Sequence, residues 1–335
     1  MSEPTAVPRI LLVTNANAGT SDEEAIAAAL TVLEAHADVA VAATSSPDEL
    51  DDALAHAGDR AIVVAGGDGS LHAVVASLHR TGRLAGSVLG LLPLGTGNDF
   101  ARTLGVPFEP ATAAQVVVAG HAIPVDLVLD DHDEVTVNHV HIGAGAEAGA
   151  RGARWKERLH AFGVGRVNLG KLGYPVGALL TAVNPPVLRV VVEVDGEVVA
   201  EPSEPVLMVA VGNGASVGGG TELTPDAQPD DGLVDVLIAT PKRGRDRVGF
   251  AARLPFGRQG ERDDVRLLRG RTVRVMGTPF ECNSDGEIGD PVDERTWRVL
   301  PGAYRMLVPG TDPALEPADG GPPGDGTAGS DAPTA

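Results

Sequence analysis

Apolar positions follow two rhythms along the chain. Between residue 9 and about residue 126, short apolar runs alternate with stretches whose apolar residues recur every three or four positions. Residues 10–14 predict a strand. Residues 22–36 predict a helix with Ile26, Ala29, Leu30 and Leu33 on one face and Ser21 and Asp22 as candidate caps. A strand over 39–43 and a helix over 47–57 follow, and then the apolar run 61–64 enters Gly66-Gly67, as a buried strand enters a turn. Helical spacing resumes over 71–79, residues 88–92 predict a fourth strand, and 98–104 a short helix. This alternation is that of a parallel α/β sheet.

Past about residue 130 the rhythm becomes one of strands, at 135–142, 187–194, 206–211, 233–238 and 272–275. Asp195-Gly196 is a hairpin signal between 187–194 and 197–200. Helical segments are expected near 151–183 and 246–254. From residue 309 onward Gly, Pro, Asp, Ala and Thr leave almost nothing to bury, which predicts a disordered tail over 309–335. Gly324, Gly326 and Gly329 match G-x-G-x-x-G there, but no strand precedes them and no helix follows, so the match lacks the context of a dinucleotide site. The expected architecture is an α/β N-terminal domain over 1–130, a β-rich C-terminal domain over 131–296, and the tail.

Composition narrows the function. A chain of 335 residues suits two domains, each able to bury a core. Hydrophobic residues make up 43% of it, yet no run of 18 apolar residues occurs, so no membrane-spanning helix is expected. Met1-Ser2-Glu3-Pro4 carries no basic or apolar leader, which makes a cytoplasmic location the expectation. Cys282, the single cysteine, suits a reducing compartment without requiring one. A formal net charge of -20 disfavours nucleic acid as a partner. Local charge differs: of 26 basic residues, six fall in 151–171 with one acidic residue, and eleven in 242–274 with four. Each stretch is either a solvated, salt-bridged face or a contact with an anionic surface.

Three glycine-containing turns stand where strands of the first domain end: Asn15-Ala16-Asn17-Ala18-Gly19, Gly66-Gly67-Asp68-Gly69-Ser70, and Pro93-Leu94-Gly95-Thr96-Gly97-Asn98-Asp99-Phe100. Ligands of open α/β sheets bind at such strand ends. Glycine admits close approach of phosphate oxygens, and a following helix offers unpaired N–H groups and a favourable dipole. Any one of these turns could be only a tight βα connection; together they point to phosphate. Ser70, Thr96 and Asn98 can add donors, whereas Asp68 among phosphates makes electrostatic sense with a cation between them, Mg²⁺ being the expected one.

Gly66-Gly67-Asp68-Gly69-Ser70 resembles the GGDGT motif shared by lipid kinases, NAD kinases and phosphofructokinases, and Pro93 to Arg102, PLGTGNDFAR, resembles the PxGTxNDFAR segment of diacylglycerol kinases. Val211-Gly212-Asn213-Gly214, Gly218-Gly219-Gly220, Pro225-Asp226-Ala227 and Asp230-Asp231-Gly232-Leu233-Val234-Asp235 are similar to that family's second-domain signature, and Asp285-Gly286-Glu287 to its DGE motif. The similarity runs in order over residues 10–308. It implies an α/β nucleotide-binding domain of the NAD kinase/diacylglycerol kinase type, a β-rich lipid-substrate domain, a cleft between them, and a last segment, 297–308, returning to the first domain. It also implies transfer of the γ-phosphate of ATP, with Mg²⁺, to the hydroxyl of a membrane lipid such as diacylglycerol, by an enzyme resting on the inner face of the membrane and able to form a homodimer.

Carried onto this sequence, the resemblance makes Asn15, Ala16, Asn17, Ala18, Gly19, Thr44, Gly66, Gly67, Asp68, Gly69, Ser70, Leu71, His72, Gly95, Thr96 and Asn98 the nucleotide-binding set. Asp231 and the carbonyls of Gln228 and Leu233 would hold a structural Mg²⁺, with Asp68 and Asp126 joining through water. Glu287 would be the proton acceptor, with Asp285 supporting it or sharing in metal binding. The chain departs from the pattern at Ala16, Ser70 and His72; serine keeps the hydroxyl, and His72 exchanges an amide for an imidazole.

Other features admit two readings. Asp285 and Glu287 would share one face of an extended segment; alternatively Asp-Gly-Glu is a hairpin tip, as expected for Asp195-Gly196-Glu197. His139 and His141 share a strand face, but without a third ligand they read as core or cleft-lining residues. Trp155, Leu159, Phe162 and Leu169 interleaved with Arg154, Lys156, Arg158, Arg166 and Lys171 suit an interfacial stretch or a helix packed on the second domain. NAD kinase shares GGDGT but not PLGTGNDFAR, and a non-catalytic lipid-binding relative would be expected to have lost Asp68 or Glu287. Walker-type and protein-kinase motifs are absent from the sequence.

Overall fold

A computed structural model describes residues 8–16, 19–144 and 187–310. Asn17, Ala18, the basic stretch 151–171 with its aromatic residues, the helical segment expected over 151–183, and the tail beyond 310 lie outside the described residues.

The N-terminal half builds β1 (Arg9–Asn15), α1 (Thr20–Glu34), β2 (Asp38–Thr44), α2 (Pro47–Ala55), β3 (Ala61–Gly66), α3 (Asp68–Arg80), β4 (Val88–Pro93) and α4 (Asp99–Thr103). α2 starts where Ser46 accepts a hydrogen bond from Glu49 N–H and proline occupies the first turn, two signals that halt a strand and open a helix. The strands are parallel in the order β2-β1-β3-β4. β1 thus has β2 on one side and β3 on the other, so the chain reverses its direction of winding there. A crevice opens at the carboxyl ends of β1 and β3, where the first two glycine turns lie. α5 (Pro110–Ala119) and β5 (His121–Asp130) complete this half; neither stands out by period, because α5 is apolar nearly all round and β5 is apolar without alternation.

The C-terminal half contains β6 (Val135–Thr136), β7 (His139–Gly143), β8 (Val190–Val194), β9 (Glu197–Ala200), β10 (Met208–Gly212), β11 (Ser216–Val217), β12 (Thr221–Glu222), β13 (Val234–Ala239), α6 (Gly244–Ala251), β14 (Val265–Gly270), β15 (Thr272–Phe280), β16 (Cys282–Ser284), β17 (Glu287–Ile288) and β18 (Val292–Val308). The single strand expected over 135–142 is two, because the amides of Val137 and Asn138 turn away from the ladder to the carboxylate of Asp285. A six-stranded sheet, β14-β13-β10-β7-β16-β17, packs on the far end of a ten-stranded sheet that runs from β4 through β18 into β15, β8 and β9. Alternation decides the packing: Val209 and Val211 of β10 join the core between the sheets, while Met208 and Ala210 face Leu254 and Phe250 on the outer side.

β18 ties the halves together. Its first part pairs antiparallel with β15, its second part with β5, and Arg305 and Met306 lie parallel to β4. Trp297 is buried in the inter-sheet core, and Tyr304 and Met306 in the core of the parallel sheet. Between them the register slips at Pro301-Gly302, where Gly302 has φ +58 and its N–H reaches Asp126 at 2.7 Å.

Candidate active site

The turns after β3 and β4 are built against each other. A Cβ on Gly67 would stand 2.9 Å from the Cα of Gly95, and one on Gly95 2.5 Å from the Cα of Gly67, so only glycine permits this backbone contact. A Cβ on Gly66 would strike the hydroxyl of Ser70 at 2.3 Å. Asn98, at φ 51, accepts from Gly95 N–H and donates to Gly95 O, both at 2.9 Å. Its side chain therefore shapes the loop, with its oxygen and one amide N–H engaged on Gly95. The Leu71 side chain is fully buried in the N-terminal core, so any contact it makes with a nucleotide would be through its backbone. Asp68, Gly69 and Ser70 belong to the first turn of α3, with Gly67 as its cap, so the sequence-expected loop is partly a helix N-terminus. Gly69 and Gly19 face open space, and Thr96 is exposed. At the neighbouring strand ends Asn15 pairs with Thr44, and Ala16 N–H donates to Thr44 O at 2.9 Å.

Asp68 spans the two turns. Its carboxylate accepts from the N–H groups of Asp99 and Phe100, both at 3.0 Å, capping the N-terminus of α4. Burial, with the charges of Asp99 and Asp285 nearby, raises its pKa against these hydrogen bonds. Asp99 reaches across to the other half: its oxygens accept from Gly219 N–H at 2.8 Å, Gly220 N–H at 2.7 Å and the Ser216 hydroxyl at 3.1 Å. Thr103 Oγ1 adds a bond from Ala215 N–H at 3.1 Å. This latch is the part that residue-by-residue reading missed. Its signals were present in the Asp of PLGTGNDFAR and in the Gly218-Gly219-Gly220 run, whose backbone approaches a carboxylate rather than a phosphate.

Asp285 closes the cleft from the opposite side, and here the sequence expectation is corrected. The segment is not extended: Asp285 has φ 50 and Gly286 φ 104, forming the two-residue turn between β16 and β17. Asp285 turns inward and Glu287 stays exposed, so the two carboxylates do not share a face. The Asp285 oxygens accept from Val137 N–H at 2.6 Å, Asn138 N–H at 2.9 Å, His139 N–H at 3.0 Å and His72 Nδ1 at 2.9 Å. A carboxylate so engaged is an anchor. The hairpin-tip reading of Asp-Gly-Glu describes it, and the tip delivers Asp285 to His72 on α3. Asp195 makes the comparable turn, but its Oδ1 is spent on Arg271 and Thr272 N–H groups.

Burial alone would lower the His72 pKa, but the hydrogen bond and charge of Asp285, with Glu287 and Glu134 beyond it, leave it raised. A raised folded value means that this contact contributes fully below the ordinary value of 6.5 and is lost as pH rises through the higher one. The melting temperature of the wild type is therefore expected to fall more than that of His72→Gln as pH rises above 6.5 and through the raised value. Parallel curves would mean that the pair does not couple the halves. Buried His139 and His141 do not interfere in that window, because burial lowers both, His141 to about 4.

These two histidines stack with ring centroids 5.5 Å apart. His139 Nε2 meets Thr224 Oγ1 at 2.8 Å, and that hydroxyl donates to Gly214 O. They are packed residues next to the Asp285 turn, and among the described residues no group of three or more His, Cys, Asp or Glu is placed to hold a metal.

Around Asp231 the structure brings together part of the expected metal set. Asp126, buried, accepts from Gly232 N–H at 2.6 Å and Gly302 N–H at 2.7 Å. Burial and then the charges of Asp231 and Asp230 push its carboxyl upward. Asp231 accepts from Leu233 N–H at 3.0 Å and pairs with Arg269. Gln228 is exposed on the same loop. The oxygen-only donors and the uncompensated charge on Asp126 fit a hard divalent cation, with Arg269 as its competitor at Asp231. Asp68 is committed to α4, so its charged neighbours are Asp99 and Asp285 rather than this cluster.

Among the described residues no helix is long and apolar enough to cross a membrane. Of the eleven basic residues in 242–274, six form ion pairs, namely Arg245, Arg258, Arg262, Arg266, Arg269 and Arg274, which makes much of that stretch a salt-bridged face.

The family model of the diacylglycerol kinase catalytic domain matches residues 9–129, and that of the YegS C-terminal NAD kinase beta sandwich-like domain matches residues 142–308. A protein of Xanthomonas euvesicatoria pv. vesicatoria described as "Probable lipid kinase YegS-like" is 33% identical over 269 residues, covering 77% of this chain and 82% of its own length. One of Pseudomonas aeruginosa with the same description is 33% identical over 318 residues, covering 92% and 96%. A solved structure titled "A putative diacylglycerol kinase from Bacillus anthracis str. Sterne" superposes with a TM-score of 0.74 at 24% identity, over 93% of this chain and 100% of that one, a likeness of fold. With both domain models matched in order and relatives of this identity aligned over most of their length, the chain belongs to the YegS-like family of diacylglycerol-kinase-related lipid kinases.

Proposed function

We propose that the cleft transfers the γ-phosphate of ATP to the hydroxyl of a membrane lipid, with diacylglycerol as the first substrate to test. The observation that carries this reading is the convergence of two glycine turns and the N-terminus of α3 on one side with the Asp285-Gly286-Glu287 hairpin on the other, joined through His72. Phosphoryl transfer needs mainly positioning and charge stabilisation, which backbone N–H groups and a helix N-terminus supply. The exposed turn residues Gly69 and Thr96, with Ser70, would receive the phosphates, and Asn15, Ala16, Gly19 and Thr44 would border the nucleotide. Glu287 is the carboxylate left free to accept the lipid proton, because both oxygens of Asp285 are occupied. Asp68 and Asp99 hold the loops and the two halves in register. Incubation with labelled ATP and diacylglycerol, a sphingoid base, a glycolipid or NAD in parallel tests the assignment. Phosphorylated lipid supports it; transfer to NAD alone would redirect it to a soluble acceptor.

Mg²⁺ would neutralise phosphate charge when bound with the nucleotide, and a second ion would be held by Asp231, the carbonyls of Gln228 and Leu233, and Asp126 through water. Asp231→Ala is then expected to abolish the rise in melting temperature that Mg²⁺ gives the wild type. Equal rises in the two proteins would remove Asp231 from the site.

Contact with the membrane surface and dimer formation remain part of this proposal. A lipid hydroxyl is presented at a bilayer surface, so the enzyme would work there, at the cytoplasmic leaflet.

A further inference from the structure

At the end of β10 and β13 away from the cleft, the chain forms a cavity of about 340 Å³ lined by Val187, Arg189, Pro205, Pro241, Lys242 and Arg247. The cleft meets the other end of these strands, at Gly212 and Asp235. Three of the six lining residues are cations, and in a chain of net charge -20 none of the three has an ion pair among the described residues. Arg247 Nε is buried without a hydrogen-bond partner. A buried guanidinium N–H left unmade carries a desolvation cost, which an anion arriving in the cavity would relieve. Arg189 is held by one bond, to Pro202 O at 3.1 Å, which leaves further donors on its fork. The carboxylate nearest in sequence, Asp246, is spent on Arg243 N–H and on Arg245. Val187, Pro205 and Pro241 form an apolar wall, so this half-open cavity presents positive charge beside an apolar surface.

We propose that this cavity binds a phosphate group, carried either by a lipid headgroup or by a small soluble phosphate. Two fork-shaped donors and one ammonium match the oxygens of a phosphate better than those of a halide, and the apolar wall accommodates the carbon skeleton attached to it. The proposal stands apart from the transfer reaction, since no lining residue belongs to the cleft.

Calorimetric titration of the full chain with inorganic phosphate and with sn-glycerol 3-phosphate, alongside sedimentation with phosphatidylglycerol vesicles and with phosphatidylcholine vesicles, tests it. Binding to at least one phosphate probe is expected, weakened about tenfold in Arg247→Gln and in Lys242→Gln, as suits loss of a charged hydrogen bond. Lys242 is exposed, so its replacement leaves the fold intact if Arg247→Gln does not. A loss seen only with phosphatidylglycerol vesicles assigns the phosphate to a headgroup, and one seen with the soluble probes assigns it to a free phosphate. Wild type and Lys242→Gln binding every probe alike, or neither binding any, overturns the proposal.

Discussion

Asp285→Ala is expected to destabilise the protein by about 3–5 kcal/mol, because a buried acceptor of several hydrogen bonds is removed and its donors stay behind. Val137, Asn138 and His139 would keep buried N–H groups with no acceptor, and His72 would lose its partner across the cleft. Alanine is also strained at φ 50, which adds about 1–2 kcal/mol. Asp285→Asn should recover part of the loss, since an amide oxygen can still accept and asparagine tolerates this backbone, while the charge opposite His72 is gone. Denaturant unfolding of the three proteins checks the order. Asp285→Ala within about 1 kcal/mol of wild type would mean that the hairpin is peripheral rather than an anchor of β7.

Much of the fold was legible because local period and turn chemistry agree with the tertiary structure. The strands at Arg9–Asn15, Ala61–Gly66 and Val88–Pro93 are apolar runs, the last two entering the turns at Gly67 and Gly95, and α2 carries its own serine and proline start. Elements shaped by distant partners were less legible. The break between β6 and β7 is caused by a carboxylate nearly 150 positions away, and nothing in residues 135–142 marks it. β18 serves two cores, and its apolar positions change sides at the Pro301-Gly302 slip, so no single period runs through it.

In the site, motif letters identified positions but not what each side chain touches. Asp68, Asn98, Asp99 and Asp285 all lie in quoted motifs, yet each engages polar atoms within the protein, on backbone amides. Helix spacing shows that the Leu71 side chain continues the buried stripe Val74, Val75 and Leu78 of α3. The link from His72 to Asp285 spans 213 positions and needed the fold to be seen.

Under the proposed transfer, general-base chemistry would fall to Glu287 because Asp285 is engaged, and Glu287→Gln is expected to slow lipid phosphorylation by about a hundredfold or more. Glutamine keeps the size and the hydrogen-bonding reach of the exposed side chain at the start of β17 but cannot take a proton. ATP affinity should be nearly unchanged, since the proposed phosphate-binding groups are in the turns around Gly69 and Thr96. Asp68→Asn should behave differently, lowering ATP affinity and turnover together, because it loosens the start of α4 next to Asn98, which holds the loop at Gly95.

The most direct test is single-turnover transfer from γ-labelled ATP to a total lipid extract, with the product identified by mass, in wild type and Glu287→Gln. The expected result is a lipid phosphomonoester formed by wild type and formed about a hundredfold more slowly by the variant at equal ATP occupancy. Equal single-turnover rates in the two proteins, or no phosphorylated lipid from wild type, would contradict the account.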